Sequence, residues 1–213
     1  MSPHSGKGLM KAGERILEAA GELFFRHGIK SITMDAIAEH LGMSKRTIYH
    51  SYEDKHEIVK ALVKQELSQQ ESELDDIRKR SENSIQEIMG AMSCVGDTFG
   101  KINPTVFYDL QKFHPDAWKQ FRLFKEQKMQ AFIEENLKRG IKQGLYRKDL
   151  NIKILAKFRI EQVEMGFNQL IFPQNKFNLT EVQLVMLDHF LHGITTLKGH
   201  KMINRYKHVT EEE

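Results

Sequence analysis

The sequence predicts an all-α fold: an N-terminal three-helix domain containing a helix-turn-helix, then a larger helical domain, about nine helices in all. Three observations support this. Four prolines and fourteen glycines are few for 213 residues, while the good helix formers Glu, Lys, Gln, Leu and Met are plentiful. Apolar residues recur at three- and four-residue spacing along most of the chain. The stretch TMDAIAEHLGMSKRTIYHSYEDK at 33–55 carries the local chemistry of two short helices joined by a tight turn.

The first helix is expected over 9–27, with Ile16, Leu17, Ala20, Leu23 and Phe24 as its apolar stripe and Gly28 as its stop. Thr33 then stands where an N-cap is needed. Ile37, Ala38 and Leu41 give the second helix its buried face, Ala38 being small enough for close approach. Gly42 follows, suited to a positive φ, and Ser44 caps the third helix, which Ile48 and Tyr52 anchor. The expected shared core is Leu17, Ala20, Phe24, Ile37, Leu41, Ile48 and Tyr52. The outward side of the third helix carries Lys45, Arg46, Thr47, Tyr49, His50 and Ser51, with no acidic residue between Leu41 and Tyr52. Such a helix suits the DNA major groove, with side chains on base edges flanked by phosphate contacts.

Asp54 and Glu57 open a fourth helix reaching to about residue 80. Lys55 in its first turn is disfavoured by the helix dipole, a small cost that makes sense if its ammonium meets a DNA phosphate. Ser84 and Glu87 form the capping box of a fifth helix, expected over 84–102, with Ile85, Ile88, Met89, Met92, Val95 and Phe99 on one face. Breaks at Pro104 and at His114–Pro115 isolate a short helix. A long one over 116–143 follows, ended by Gly144. Asn151 caps an eighth helix running toward Pro173. Asn178, with Glu181, caps a ninth that ends near Gly199, after which the polar tail is expected to fray.

The eighth and ninth helices are apolar on more than one side. Leu155, Phe158, Met165 and Gly166 line one side of the eighth, and Ile160, Val163, Phe167 and Ile171 another. In the ninth, Val182 and Met186 differ in direction from Leu187, Phe190, Leu191 and Ile194. A helix apolar on two sides buries both, which predicts a homodimer through a four-helix bundle built from these two helices of each subunit.

The 33–55 block resembles the DNA-binding region of TetR-family (tetracycline-repressor-like) transcriptional regulators. The resemblance lies in TMDAIA at 33–38, GMSKRTIYH at 42–50 and Asp54–Lys55, and extends over about residues 9–63. Arg46 stands where the family often has glycine, and Ser51 where it commonly has a bulky aromatic. The resemblance implies a DNA-binding domain over 1–54 and a ligand-binding and dimerisation domain over 55–213. It also implies a homodimer that represses from a palindromic operator and is released by a small, largely apolar ligand. Candidate DNA contacts are Thr33, Ser44, Lys45, Arg46, Thr47, Tyr49, His50 and Lys55. Candidate ligand contacts are Met89, Met92, Phe99, Phe107, Trp118, Phe121, Phe124, Met129, Phe158 and Met165, since methionine and aromatic groups suit an adaptable apolar cavity.

The totals fit a soluble globular chain: 40% hydrophobic, 29% charged and a formal net charge of +3, too small to indicate nucleic-acid binding without the local pattern. Cys94 is the only cysteine, so an intramolecular disulfide is excluded and a cytoplasmic location is expected. Its expected role is a small buried side chain on a helix. No apolar run approaches the roughly 20 residues of a membrane span, and MSPHSGKG lacks an apolar signal core and is expected to be a polar arm. His189 and His192 lie three apart, but Asp188 is expected to point elsewhere, leaving no metal set. No glycine-rich phosphate loop or nucleophile–base pair supports an enzyme, and no cofactor is expected. The competing class is a helical interaction protein whose helix-turn-helix binds another protein.

Overall fold

The structure is a computed structural model that describes residues 11–99, 102–103, 105–173 and 175–207, with side chains 94–99 left undescribed. Among the described residues every regular element is helical, and a single antiparallel bridge pairs Tyr146 with Thr195. The chain divides into two compact units.

The first unit comprises the chain up to Glu66 and Ile102–Gln120. Helices α1 (Ala12–His27), α2 (Met34–Leu41) and α3 (Lys45–Ser51) converge on Ile16, Ala20, Phe24, Ile37 and Ile48, all fully buried. Removing such side chains from water is worth about 1.5–3 kcal/mol apiece for the larger ones. The opening turns of α4 (Lys55–Arg80) add Ile58, Val59 and Leu62. A Cβ on Gly21 would stand 3.1 Å from Leu62 Cδ1, so glycine there lets α1 take the leucine. Helix α6 (Thr105–Phe113) and the first part of α7 (Pro115–Phe124) complete the unit. Asn103 N donates to Phe25 O at 2.6 Å and Lys30 N to Asp109 Oδ2 at 2.8 Å. Gly28, at φ 82°, leaves no room for a side chain, since a Cβ would lie 2.5 Å from Thr105 Oγ1. Residues 102–120 therefore group with the N-terminal helices, whereas a division at 54 assigns them to the C-terminal domain.

The second unit holds Leu67–Lys101 and the chain from Phe121 onward. Its elements are the rest of α4, α5 (Ser84–Phe99), a π-helical turn Lys125–Met129 that joins α7 to α8 (Gln130–Lys142), α9 (Ile152–Gly166), α10 (Leu179–Ile194) and α11 (Leu197–Tyr206). Ile85, Ile88, Leu137, Tyr146, Leu191 and Ile194 form its core. A polar knot is embedded there. Glu87, almost fully buried, accepts from Asn136 Nδ2 at 2.8 Å and from Arg139, and Arg78 Nε lies 3.3 Å away. Tyr146 OH donates to Ser84 O at 3.1 Å, and its ring occupies the space a Cβ on Gly140 would need. Every charge in this knot has a partner, as burial requires.

Three elements differ from expectation. The long helix at 116–143 accommodates a π turn. The eighth helix ends at Gly166, short of Pro173, with Phe167 as its C-cap. The ninth ends at Ile194, and the segment expected to fray forms α11, capped by Thr196 Oγ1 accepting from Gly199 N. Met202, Ile203 and Tyr206 recur at helical spacing within its polar background, and Ile203 is fully buried. Residues 1–10 and 208–213 and the side chains of Cys94, Val95 and Phe99 lie outside the described residues. No helix among the described residues is long and apolar enough to cross a membrane.

Candidate nucleic-acid interface and ligand cavity

Local capping sets the geometry of α3. Thr33 Oγ1 accepts from Ala36 N at 3.1 Å to start α2. Gly42 ends it at φ 62°, with nothing within 4 Å of an added Cβ, so the left-handed backbone alone calls for glycine. Ser44 Oγ accepts from Thr47 N at 3.1 Å and pairs with Thr47 Oγ1 at 2.8 Å. Ile48 is the one fully buried side chain of α3 and fixes its rotation. Lys45, Arg46, Thr47, Tyr49 and His50 are consequently exposed, Tyr49 to 52%. Tyr52 OH donates to Gly13 O at 3.2 Å and ties the end of α3 to α1; burial raises its pKa. Lys45 Nζ lies 2.6 Å from Asp35 Oδ2, an exposed pair whose hydrogen bond and charge raise the lysine pKa. Five of the eight residues expected to face DNA are thus exposed together on α3, with Thr33 and Ser44 exposed beside them, although the hydroxyls of these last two also serve as caps.

Lys55 is directed differently. Its Nζ donates to Ile29 O at 3.1 Å and to Ile32 O at 2.9 Å, and burial lowers its pKa against the opposing pull of Asp109. The sequence suggested a phosphate partner; in the structure the ammonium closes the loop between α1 and α2. Beside it, the His114 ring is 4.5 Å from that of His56. Burial first, then the charges of His56 and Lys55, bring the His114 pKa down to about 4.

The second unit contains a small apolar cavity of about 50 Å³, lined by Leu74, Met92, Met129, Phe132, Ile160 and Val163 with Gln70 and Arg159. Of the ten candidate ligand residues, Met92 and Met129 line it. Met89 packs half-buried against the same core. Phe124 is buried and Phe121 half-buried away from the lining. Phe107 and Trp118 belong to the first unit, and Phe99 lies outside the described side chains. Phe158 and Met165 are exposed, at 49% and 38%. Ile160 and Val163, read from the sequence as a second apolar side of this helix, and Arg159 were not among the ligand candidates; the signal for Arg159 was an arginine set at core spacing between Ala156 and Val163.

Those two residues are among several exposed apolar side chains on α9 and α10. Ile154, Phe158 and Met165 follow one another along α9, and Leu184 and Val185, both more than half exposed, lie on α10. The two helices are locked together on another side. Gln183 Nε2 donates to Val163 O at 2.8 Å, and a Cβ on Gly166 would come within 2.3 Å of that amide. On α10, His192 Nδ1 is 3.1 Å from Asp188 Oδ1, so Asp188 does reach this histidine, contrary to the expectation, as the i, i+4 spacing allows. The His192 ring also packs edge-on against His200, while His189 is exposed. Among the described residues no group of three or more His, Cys, Asp or Glu could hold a metal ion.

Residues 16–62 match the family model described as "Bacterial regulatory proteins, tetR family". The chain is 26% identical over 189 residues to the HTH-type transcriptional regulator YvaF of Bacillus subtilis, covering 85% of this chain and 95% of that one. It is 26% identical over 176 residues to the HTH-type transcriptional repressor AcnR of Corynebacterium glutamicum, covering 78% and 85%. The fold resembles that of a transcriptional regulator from Saccharomonospora viridis solved in complex with choline, with a TM-score of 0.73 at 18% identity over 87% of this chain and 98% of the other.

Proposed function

Because the chain belongs to the tetR family of bacterial regulatory proteins and is a regulator of transcription, we propose that it is a cytoplasmic repressor: a homodimer bound to a palindromic DNA operator and released by a small, largely apolar ligand. The observation that carries the DNA reading is α3, on which one buried isoleucine turns Lys45, Arg46, Thr47, Tyr49 and His50 outward together. A short helix of this kind can enter a major groove, with Arg46 on a base edge and the hydroxyls of Thr33, Ser44, Thr47 and Tyr49 on phosphates. Lys55 supports that surface from within by holding the 29–32 loop.

The second subunit would cover the apolar face of α9 and α10, and twofold symmetry would place two α3 helices on successive half-sites. A ligand enters the account through the cavity of the second unit. A relative is a repressor and a structural neighbour was solved with a small molecule, which supports ligand-controlled release. Helix α4 is the natural lever, because it carries Lys55 at its start and Gln70 and Leu74 of the cavity lining further along. A ligand preferring the subunit arrangement that misplaces the α3 helices lowers operator affinity by its differential affinity for that arrangement. Selection of bound sequences from a random duplex pool tests the proposal. The expected product is an inverted repeat, bound with a steep salt dependence. Absence of any enriched sequence, with salt-insensitive binding, would transfer the helix-turn-helix to a protein partner.

A further inference from the structure

Arg159 is the odd residue of the cavity. It is 2% exposed, and the cavity around it is lined by Met92, Ile160, Val163, Phe132 and other apolar side chains, with Gln70 as the other polar residue. Its Nη2 lies 2.7 Å from Met92 Sδ, a weak acceptor, and its guanidinium carbon is 5.7 Å from the centre of the Phe190 ring. Its Nη1 has no hydrogen-bond partner among the described residues. No carboxylate is paired with it among the described ion pairs, in contrast to buried Glu87, which is held by Arg78 and Arg139. Burial pushes its pKa down to about 10, so it remains cationic at neutral pH.

An unpaired buried charge costs several kcal/mol and is not retained by packing alone. Methionine would fill the same elongated space without that cost. The cavity is built the opposite way, with mostly apolar walls, the neutral amide of Gln70 and one cation with an unused donor. A planar guanidinium with a free edge is matched in charge and shape by a carboxylate. A single cation among apolar walls balances a monoanion and gives little to a dianionic phosphate, which needs further donors.

Resting on the ligand-released repressor proposed above, we infer that the effector is an amphiphile with a carboxylate head, bound to Arg159, and an apolar body lying among Met92, Met129, Phe132 and Val163. A cavity of about 50 Å³ holds little more than a water molecule or two, so the ligand must displace the methionine side chains, which are flexible enough to yield. Displacing Met92 also frees Nη2 for the second carboxylate oxygen.

The test is calorimetric titration of the full chain with hexanoate, octanoate and decanoate, the alcohols of the same lengths, and octyltrimethylammonium. The expected result is that at least one carboxylate binds tenfold or more tighter than its alcohol, because the hydrogen bond to the guanidinium is then charge-assisted on both sides. The ammonium should not compete. Arg159→Met should erase or reverse the preference, and Arg159→Lys should keep its sign, with circular dichroism confirming the fold of each. Equal or tighter binding of the alcohol or the ammonium, a carboxylate preference that survives in Arg159→Met, or no binding by any chain length would overturn the inference. An alcohol that binds and releases DNA would overturn the carboxylate head while leaving ligand-controlled repression intact, and loss of sequence-selective DNA binding would sink the repressor independently of these titrations.

Discussion

The ammonium of Lys55 sits 2.9 Å from the carbonyl oxygen of Ile32 and 3.1 Å from that of Ile29, so the first side chain of α4 closes the loop that leads into the helix-turn-helix. Two charged-donor hydrogen bonds in a half-buried site give Lys55 a structural function that a phosphate contact would have to break. Lys55→Met should lower stability by about 1–3 kcal/mol through the carbonyls left unsatisfied. DNA affinity should fall with it, but the slope of log affinity against log salt should hold, since no phosphate-neutralising charge is removed. Urea titration and binding isotherms at several salt concentrations check this. Unchanged stability with a slope lowered by about one would return Lys55 to the DNA surface.

His114 should make the fold sensitive to acid. Its folded pKa of about 4 lies below the usual histidine value of 6.5. The unfolded chain therefore binds the proton first, and the stability contribution, complete above pH 6.5, is lost as pH falls from there toward 4. Burial of the 4% exposed ring sets most of the shift, the charges of His56 and Lys55 add to it, and Asp109 and Asp54 oppose it. The loss across this window is on the order of 3 kcal/mol. Urea midpoints at pH 7, 5.5 and 4.5 should decline for the wild type and decline less for His114→Gln, whose side chain does not titrate. Parallel declines in the two proteins would remove His114 as the cause.

Arg46 and Tyr49 are separable by their effects on sequence. Both are exposed on α3, but only Arg46 offers the paired donors that match a guanine edge. Arg46→Ala should cost about 1–3 kcal/mol on the preferred operator and little on others, flattening the preference at one position of each half-site. Tyr49→Phe should weaken all duplexes alike, by about 1 kcal/mol if its hydroxyl meets a phosphate. Competition binding against single-position operator variants reads both. An equal loss on every sequence for Arg46→Ala would mean that Arg46 does not read a base.

The helix-turn-helix was legible because its demands are local. Caps at Thr33 and Ser44, a positive φ at Gly42 and one anchor at Ile48 each follow from a few adjacent residues. Helix α11 was obscured because Met202, Ile203 and Tyr206 are sparse among charges and their value comes from the core they enter. The grouping of 102–120 with the first unit depends on contacts 77 to 79 residues apart, such as Lys30 N to Asp109, which no periodicity encodes. Lys55 was read for its charge, while its partners are backbone carbonyls that sequence does not display. The cavity failed for a related reason. Composition identified Met and Phe as its material, but a stripe of apolar residues does not tell which side of α9 faces inward.

The outward side of α9 bears on assembly. Phe158 and Met165, expected in a ligand pocket, are exposed with Ile154 along one side of the helix, and Leu184 and Val185 are exposed on the neighbouring α10. Scattered apolar residues are ordinary on a surface, but five on two helices that are joined by the Gln183–Val163 hydrogen bond make these helices the candidate interface. Because Phe158 is half exposed in the single subunit, Phe158→Asp should leave the subunit folded, with an unchanged circular dichroism spectrum. It should instead break the proposed dimer, because an unpaired carboxylate would be buried where the second subunit is expected to pack. Light scattering should report a dimer for the wild type and a monomer for Phe158→Asp, and Leu184→Glu should act in the same way. The monomers should bind an isolated half-site as well as the wild type does, yet lose the gain that comes from engaging both halves of the inverted repeat. A Phe158→Asp protein that stays dimeric and keeps that gain would move the interface away from α9 and α10.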